Sequence, residues 1–274
     1  MHSRGVGSLG VEIVDTTLRD GEQKAGIAFA PEEKIKIASM LDELGIYQIE
    51  AGIPAMGGHE KRSIARIVDM GLKSKISTWS RMNKNDIKQA RECGAEIIHI
   101  SVPCSDIQIS SKLNKSREWV IDNMKSCIAY AAGGCSEVTI GMEDASRADF
   151  KFLMQVMATA LENGVKRVRY ADTVGVLYRQ RLYDEIVKIR DELEVEIEMH
   201  AHNDLGMAVA NSIAAAKAGA RYIDCTIGGI GERAGNCSYN QFIEAAREHM
   251  GIFQNIDLDR AMEIQADIMK MIYR

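Results

Sequence analysis

Eight short strand-like runs alternate with eight amphipathic, helix-like runs along the 274-residue chain. The strand-like runs are Val11–Thr17, Tyr47–Ile53, Lys75–Arg81, Glu96–Val102, Glu137–Glu143, Arg167–Thr173, Val195–Met199 and Tyr222–Ile227. Apolar residues at helical spacing follow each one, over 31–44, 60–70, 85–93, 117–132, 148–163, 179–193, 207–217 and 240–250. Pro31 opens the first helix at its favoured position, and most helices stop at a glycine, such as Gly45, Gly71 or Gly251. Strand then helix, repeated, implies parallel strands joined by right-handed crossovers. Eight such units in this length predict an α/β fold, the (β/α)8 or TIM barrel. An open doubly wound sheet would want G-x-G-x-x-G after its first strand, and none stands there. The expected organisation is a loose N terminus over 1–10, a catalytic barrel over 11–252 and an extra C-terminal segment over 253–274, whose helix runs from Leu258 to Ile272. That helix is apolar at Leu258, Ala261, Met262, Ile264, Ile268, Met269 and Ile272, a face that packs on the barrel or docks a partner.

A formal net charge of −5 argues against nucleic acid or an anionic membrane as partner. No run is long and apolar enough to span a bilayer, and the N terminus lacks an apolar signal segment. Six cysteines without a CxxC pair fit a reduced, cytoplasmic chain with most thiols in the core. Cys237, in a loop, is either an exposed reactive thiol or a spectator.

In such a barrel the active site forms at the carboxyl ends of the strands, and polar groups collect there. The first strand leads into Asp15-Thr-Thr-Leu-Arg19-Asp20-Gly-Glu-Gln23, and the second ends with Glu50. Further round stand Arg81, His99, Glu143-Asp144 and Asp172-Thr173, while the strand interiors read as mostly apolar or small. The seventh strand runs into His200-Ala-His202-Asn-Asp, and the eighth into Gly228-Gly-Ile-Gly-Glu-Arg-Ala-Gly-Asn236. Residues i and i+2 of a strand share a face, so His200 and His202 present two imidazoles side by side. With a carboxylate such as Asp20 from the neighbouring first strand, they make a facial nitrogen–oxygen set with open positions. Mixed donors of this kind suit Mg2+, Mn2+ or catalytic Zn2+. Arg19 beside them would stabilise negative charge growing on a carbonyl oxygen.

Three stretches in this order, Asp15–Gln23, His200–Gly206 and Gly231–Asn236, resemble the DRE-TIM metallolyases. Within that family the chain is most similar to the synthases that condense acetyl-CoA with 2-oxo acids: homocitrate, isopropylmalate and citramalate synthases. The resemblance implies that Asp20, His200, His202 and Asn236 hold a divalent metal and that Arg19 polarises the chelated ketone. It implies that Thr173 bonds the substrate carboxylate and that Gln23, Glu143 and His99 line the pocket, Glu143 with a catalytic part. The implied reaction is a Claisen-type condensation followed by thioester hydrolysis. Runs such as Gly21–Phe29, Glu50–Gly57 and Ser101–Ile109 resemble the homocitrate synthases of nitrogen fixation, which implies 2-oxoglutarate as the 2-oxo acid. Lysine-pathway relatives carry Arg and Ser on the fifth strand, where this chain has Thr139 and Gly141. Arg81 is therefore the candidate for a second substrate carboxylate, with an ion pair at the barrel rim as its alternative reading. A lyase of the hydroxymethylglutaryl-CoA type, or a barrel inactive without a partner chain, would use the same metal set. The family's lid and regulatory regions are not in the sequence, so the expectation is a homo-oligomer or a hetero-oligomer in which a second chain supplies the lid.

Overall fold

The computed structural model describes residues 10–135 and 137–273, so most of the expected loose N terminus lies outside the described residues. Eight strands close into a parallel barrel in sequence order, with β8 paired back onto β1. They are β1 (Glu12–Asp15), β2 (Gln48–Glu50), β3 (Lys75–Arg81), β4 (Ile97–Pro103), β5 (Glu137–Glu143), β6 (Arg167–Asp172), β7 (Glu196–Ala201) and β8 (Tyr222–Cys225). The connecting helices are α1 (Pro31–Glu43), α2 (Gly58–Asp69), α3 (Lys84–Glu92), α4 (Arg117–Ala132), α5 (Phe150–Glu162), α6 (Arg179–Glu192), α7 (Ala208–Ala218) and α8 (Tyr239–Met250), with α9 (Leu258–Ile272) after them. Side chains that satisfy orphan backbone N–H groups start several helices. Asn83 accepts from Asp86, Ser116 from Trp119, Asp149 from Phe152 and Asp257 from Arg260.

The core lies between strands and helices. Ile49, Ile98, Ile100, Ile140, Met142, Val168, Ile197, Met199 and Ile223 point outward against the helix ring, all buried. Their neighbours along each strand point into the barrel, and most of these are polar, contrary to the expectation of mostly apolar or small strand interiors. Arg169 on β6 spans the barrel to Glu50 on β2 at 2.8 Å and also meets Asp224 of β8 and Glu198 of β7. Arg167, one layer lower, pairs with Glu137 at 2.9 Å and Glu198 at 3.3 Å, its guanidinium over the Tyr222 ring. Such groups tolerate burial because each charge finds opposite charge within hydrogen-bond reach. A barrel usually fills this space with branched aliphatics; this one fills it with ions.

Ala261, Ile264, Ile268 and Met271 of α9 are buried, and the helix touches α1, α8 and the turn after β8. Ordinary packing on the barrel therefore accounts for this face. No helix among the described residues is long and apolar enough to cross a membrane.

Candidate metal centre and substrate pocket

A pocket of about 330 Å3 opens at the carboxyl ends of the strands. Its walls include Arg19, Asp20, Gln23, His99, Glu143, Thr173, His200 and His202, together with Trp79, Ser101, Lys112 and Arg169. At one side His200 Nε2 lies 3.3 Å from His202 Nε2 and 3.4 Å from Asp20 Oδ2, and His202 Nε2 lies 3.8 Å from the same oxygen. Asp20 reaches this position from the turn after β1. There a tight loop, with Asp20 N–H donating to Thr16 O at 2.8 Å, folds the chain back over the barrel mouth. The histidines reach it because they share one face at the end of β7.

The donor set fits a divalent cation. Burial disfavours charge on His200, but its hydrogen bonds to Asp20 and Asp224 outweigh this and raise its pKa to about 9. Burial and the neighbouring His200 push His202 down to about 4. Burial opposes ionisation of Asp20 as well, yet Arg19 and the two histidines hold its carboxyl well below the usual range. The trio thus favours positive charge at its centre. His200 Nδ1 faces Asp224 Oδ2 at 2.9 Å, the partner that orients an imidazole whose other nitrogen binds a metal. Asn236 donates from Nδ2 to Asp20 Oδ1 at 2.9 Å and to Ile230 O at 3.0 Å, while its own Oδ1 is buried without a partner. That oxygen is a buried acceptor beside the trio that could serve a cation as a fourth donor.

Arg19 touches the centre through Asp20 at 2.6 Å and is anchored behind by Glu50 at 2.5 Å, with Trp79 5.9 Å from its guanidinium carbon. Burial resists ionisation of Glu50, but Arg169 and Arg19 keep it charged. Arg19 is therefore fixed by a fully buried anion, as electrostatic catalysis requires of a preorganised cation. Thr173 Oγ1 accepts from the Asp144 N–H at 2.8 Å at the pocket wall. Glu143 accepts from Ser101 Oγ at 3.2 Å and from Lys112 Nζ at 2.9 Å.

His99 lies deep in the same pocket, its Nδ1 2.8 Å from Thr139 Oγ1. A Cβ on Gly141 would stand 2.2 Å from His99 Nε2. Thr139 and Gly141, the departures noted on the fifth strand, are thus the bracket and the space for this ring.

Two expectations change. The Arg81 side chain is 67% exposed and takes no part in the pocket wall, held beside the adjoining cleft by both oxygens of Asp86 at 2.7 and 3.0 Å. Asp86 sits in the first turn of α3, buried and facing the end of β3, so the rim ion pair is the correct reading of Arg81. Cys237 is buried, its sulfur 3.9 Å from that of Cys225, and is no exposed thiol. Arg169 and Asp224, joined with Glu50 in one buried charge network behind the site, are the groups that strand-end reasoning undervalued. Their signal was charge at alternate positions of neighbouring strands, Arg167/Arg169 beside Glu196/Glu198.

A closed parallel barrel with two histidines and an aspartate gathered at its carboxyl end defines a TIM-barrel protein with a candidate metal centre, and comparison with known proteins narrows the class. Residues 10–268 match the HMGL-like family model, and the chain belongs to that family. It is similar, at 52% identity over 96% of this chain and 98% of the relative, to the homocitrate synthase subunit alpha of Clostridium pasteurianum. It is 46% identical to 2-isopropylmalate synthase 2 of Caldanaerobacter subterraneus and 43% identical to homocitrate synthase 1 of Nostoc. These matches cover 93% of this chain in each case, and the chain spans about two thirds of those longer relatives, 66% and 67%. Among solved structures, the Bacillus subtilis HMG-CoA lyase superposes with a TM-score of 0.83 over 96% of this chain and 94% of its own, at 20% identity, a likeness of fold.

Proposed function

We propose that the chain is the barrel of a homocitrate-forming synthase, condensing acetyl-CoA with 2-oxoglutarate in a metal-dependent reaction. The observation that carries this reading is the convergence of Asp20, His200 and His202 beside a fixed Arg19. The names of the relatives from Clostridium and Nostoc support homocitrate as product. Asp20, His200, His202 and Asn236 would hold Mg2+, Mn2+ or Zn2+, which supplies a Lewis acid for the ketone of the 2-oxo acid. Arg19 stabilises the negative charge that reaches the ketone oxygen as the new bond forms. Thr173 and Gln23 orient the substrate, and His99, which burial holds neutral, contributes a hydrogen bond rather than a charge. Glu143 is the candidate group to take up the proton leaving the acetyl methyl. The methyl carbon bonds to the ketone carbon, the ketone oxygen gains a proton, and water cleaves the thioester, releasing CoA.

The Clostridium relative is named as a subunit, which supports a second chain that completes the site. With six free thiols and no pair bridged, a cytoplasmic setting fits.

The test follows thiol release from acetyl-CoA with 2-oxoglutarate, 2-oxoisovalerate or pyruvate, with each metal and after chelation. Metal-dependent release with 2-oxoglutarate is the expected result. Preference for another oxo acid would overturn the substrate, and full turnover by the barrel alone would overturn the partner chain.

A further inference from the structure

A substrate with two carboxylates needs a cation for each end, and the pocket walls carry three: Arg19, Arg169 and Lys112. Arg19 is bound to Asp20 and Glu50, and Arg169 to Glu50, Glu198 and Asp224, all within 3.4 Å. Both are buried and held in place by carboxylates of the barrel, so neither side chain can swing to the pocket mouth, and Arg81 is turned onto Asp86. Lys112 differs. It is 60% exposed at the pocket mouth, and its Nζ donates to Glu143 at 2.9 Å and Gln108 at 3.2 Å. It stands on the β4–β5 side of the barrel, across from the metal donors of β1 and β7.

The backbone presents it deliberately. Residues Ile107–Lys112 form a short π-helical turn, a form concentrated at functional sites. Ile109 anchors the turn in the core, and Leu113 N–H closes it on Gln108 O at 3.2 Å. The ammonium has three donors, and its contacts to Glu143 and Gln108 use two of them, which leaves one for a ligand at the mouth.

We propose that Lys112 is the specificity residue for the distal carboxylate of a dicarboxylic 2-oxo acid. This rests on the reading of the pocket as a 2-oxo acid site. The keto-acid end lies at Asp20, His200 and His202, and the far carboxylate meets Lys112 at the mouth.

Calorimetric titration of Mn2+-loaded full chain with 2-oxoglutarate, 2-oxoisovalerate and pyruvate tests it. Lys112→Met weakens 2-oxoglutarate at least tenfold and leaves the two monocarboxylates within twofold. Lys112→Arg retains most of the 2-oxoglutarate affinity, and Arg81→Met changes none of the three. Equal weakening for all three ligands, no change for 2-oxoglutarate, or a loss in Arg81→Met instead would overturn the assignment. If wild-type chain binds none of the three with Mn2+, the reading of the pocket fails and the assignment falls with it. If it binds only the monocarboxylates, the pocket stands and the dicarboxylate role of Lys112 is refuted.

Discussion

At the level of single residues, the site is a set of buried polar groups whose desolvation is offset by their neighbours. Asp224 is the clearest case, holding His200 from behind at 2.9 Å while also facing Arg169. Partners of this kind set ligand orientation, and their loss typically costs 10- to 100-fold in metal affinity. Asp224→Asn should therefore weaken Mn2+ binding by about that factor in a calorimetric titration, with the circular dichroism of the fold retained. His99 yields a prediction in pH. Burial, then the charge of Arg169, lowers its pKa from 6.5 to about 3. The unfolded chain takes up a proton near pH 6.5 that the folded chain refuses until about 3. This contribution to stability is complete above pH 6.5 and is lost as pH falls through that window, by roughly 1 kcal/mol per pH unit. In urea denaturation between pH 7 and 5, the stability of wild type relative to His99→Gln should shrink at that slope; a difference that stays constant would refute it. His200, His202 and Asp20 were legible as a set because i and i+2 of a strand share a face and β7, β8 and β1 are consecutive. Arg81 was misread because its strand position aims it at the rim, whereas the choice of partner there is made by Asp86, which the helical pattern hides.

Among elements, periodic segments were readable and short irregular ones were not. The ends of β3, α4, β5 and α9 fall where alternation and helical spacing put them. Three-residue 3-10 turns at Gly21–Gln23, Pro54–Met56 and Ala145–Arg147 carry no period to detect, nor does the π-helical turn before Lys112. The inward faces of the strands were misjudged for a different reason. Alternation reveals two faces, but in a barrel both are buried, and polarity alone does not say which one meets the helices. The loop after β8 shows how tightly an irregular element can be specified. A Cβ on Gly231 would fall 2.0 Å from Asn236 Nδ2 and 3.1 Å from Asp20 Oδ1. Gly231→Ala should displace Asn236 from Asp20 and lower metal affinity at least tenfold, together with a lower thermal midpoint, because its φ of +157° is one that side chains rarely adopt. An unchanged titration would remove Asn236 from the ligand set.

The molecule as a whole depends on charges that meet only when the ring is closed. Arg169 comes from β6, Glu50 from β2, Glu198 from β7 and Asp224 from β8, so no two neighbouring strands neutralise the set alone. Removing one member leaves buried charge without compensation, at a cost of about 3–5 kcal/mol. Arg169→Met should lose that much in denaturant unfolding, although methionine matches much of the volume. A loss under about 1 kcal/mol would mean that water or protonation already screens the network. One feature of the pocket also bears on how the protein can be watched. The chain has two tryptophans. Trp79 lies in the pocket wall beneath Arg19, and Trp119 lies at the rim of the adjoining cleft that Lys112 borders. Both indoles therefore stand on the reacting side of the barrel, none on the opposite end, and the emission of the unlabelled chain is an optical record of ions and oxo acids arriving there.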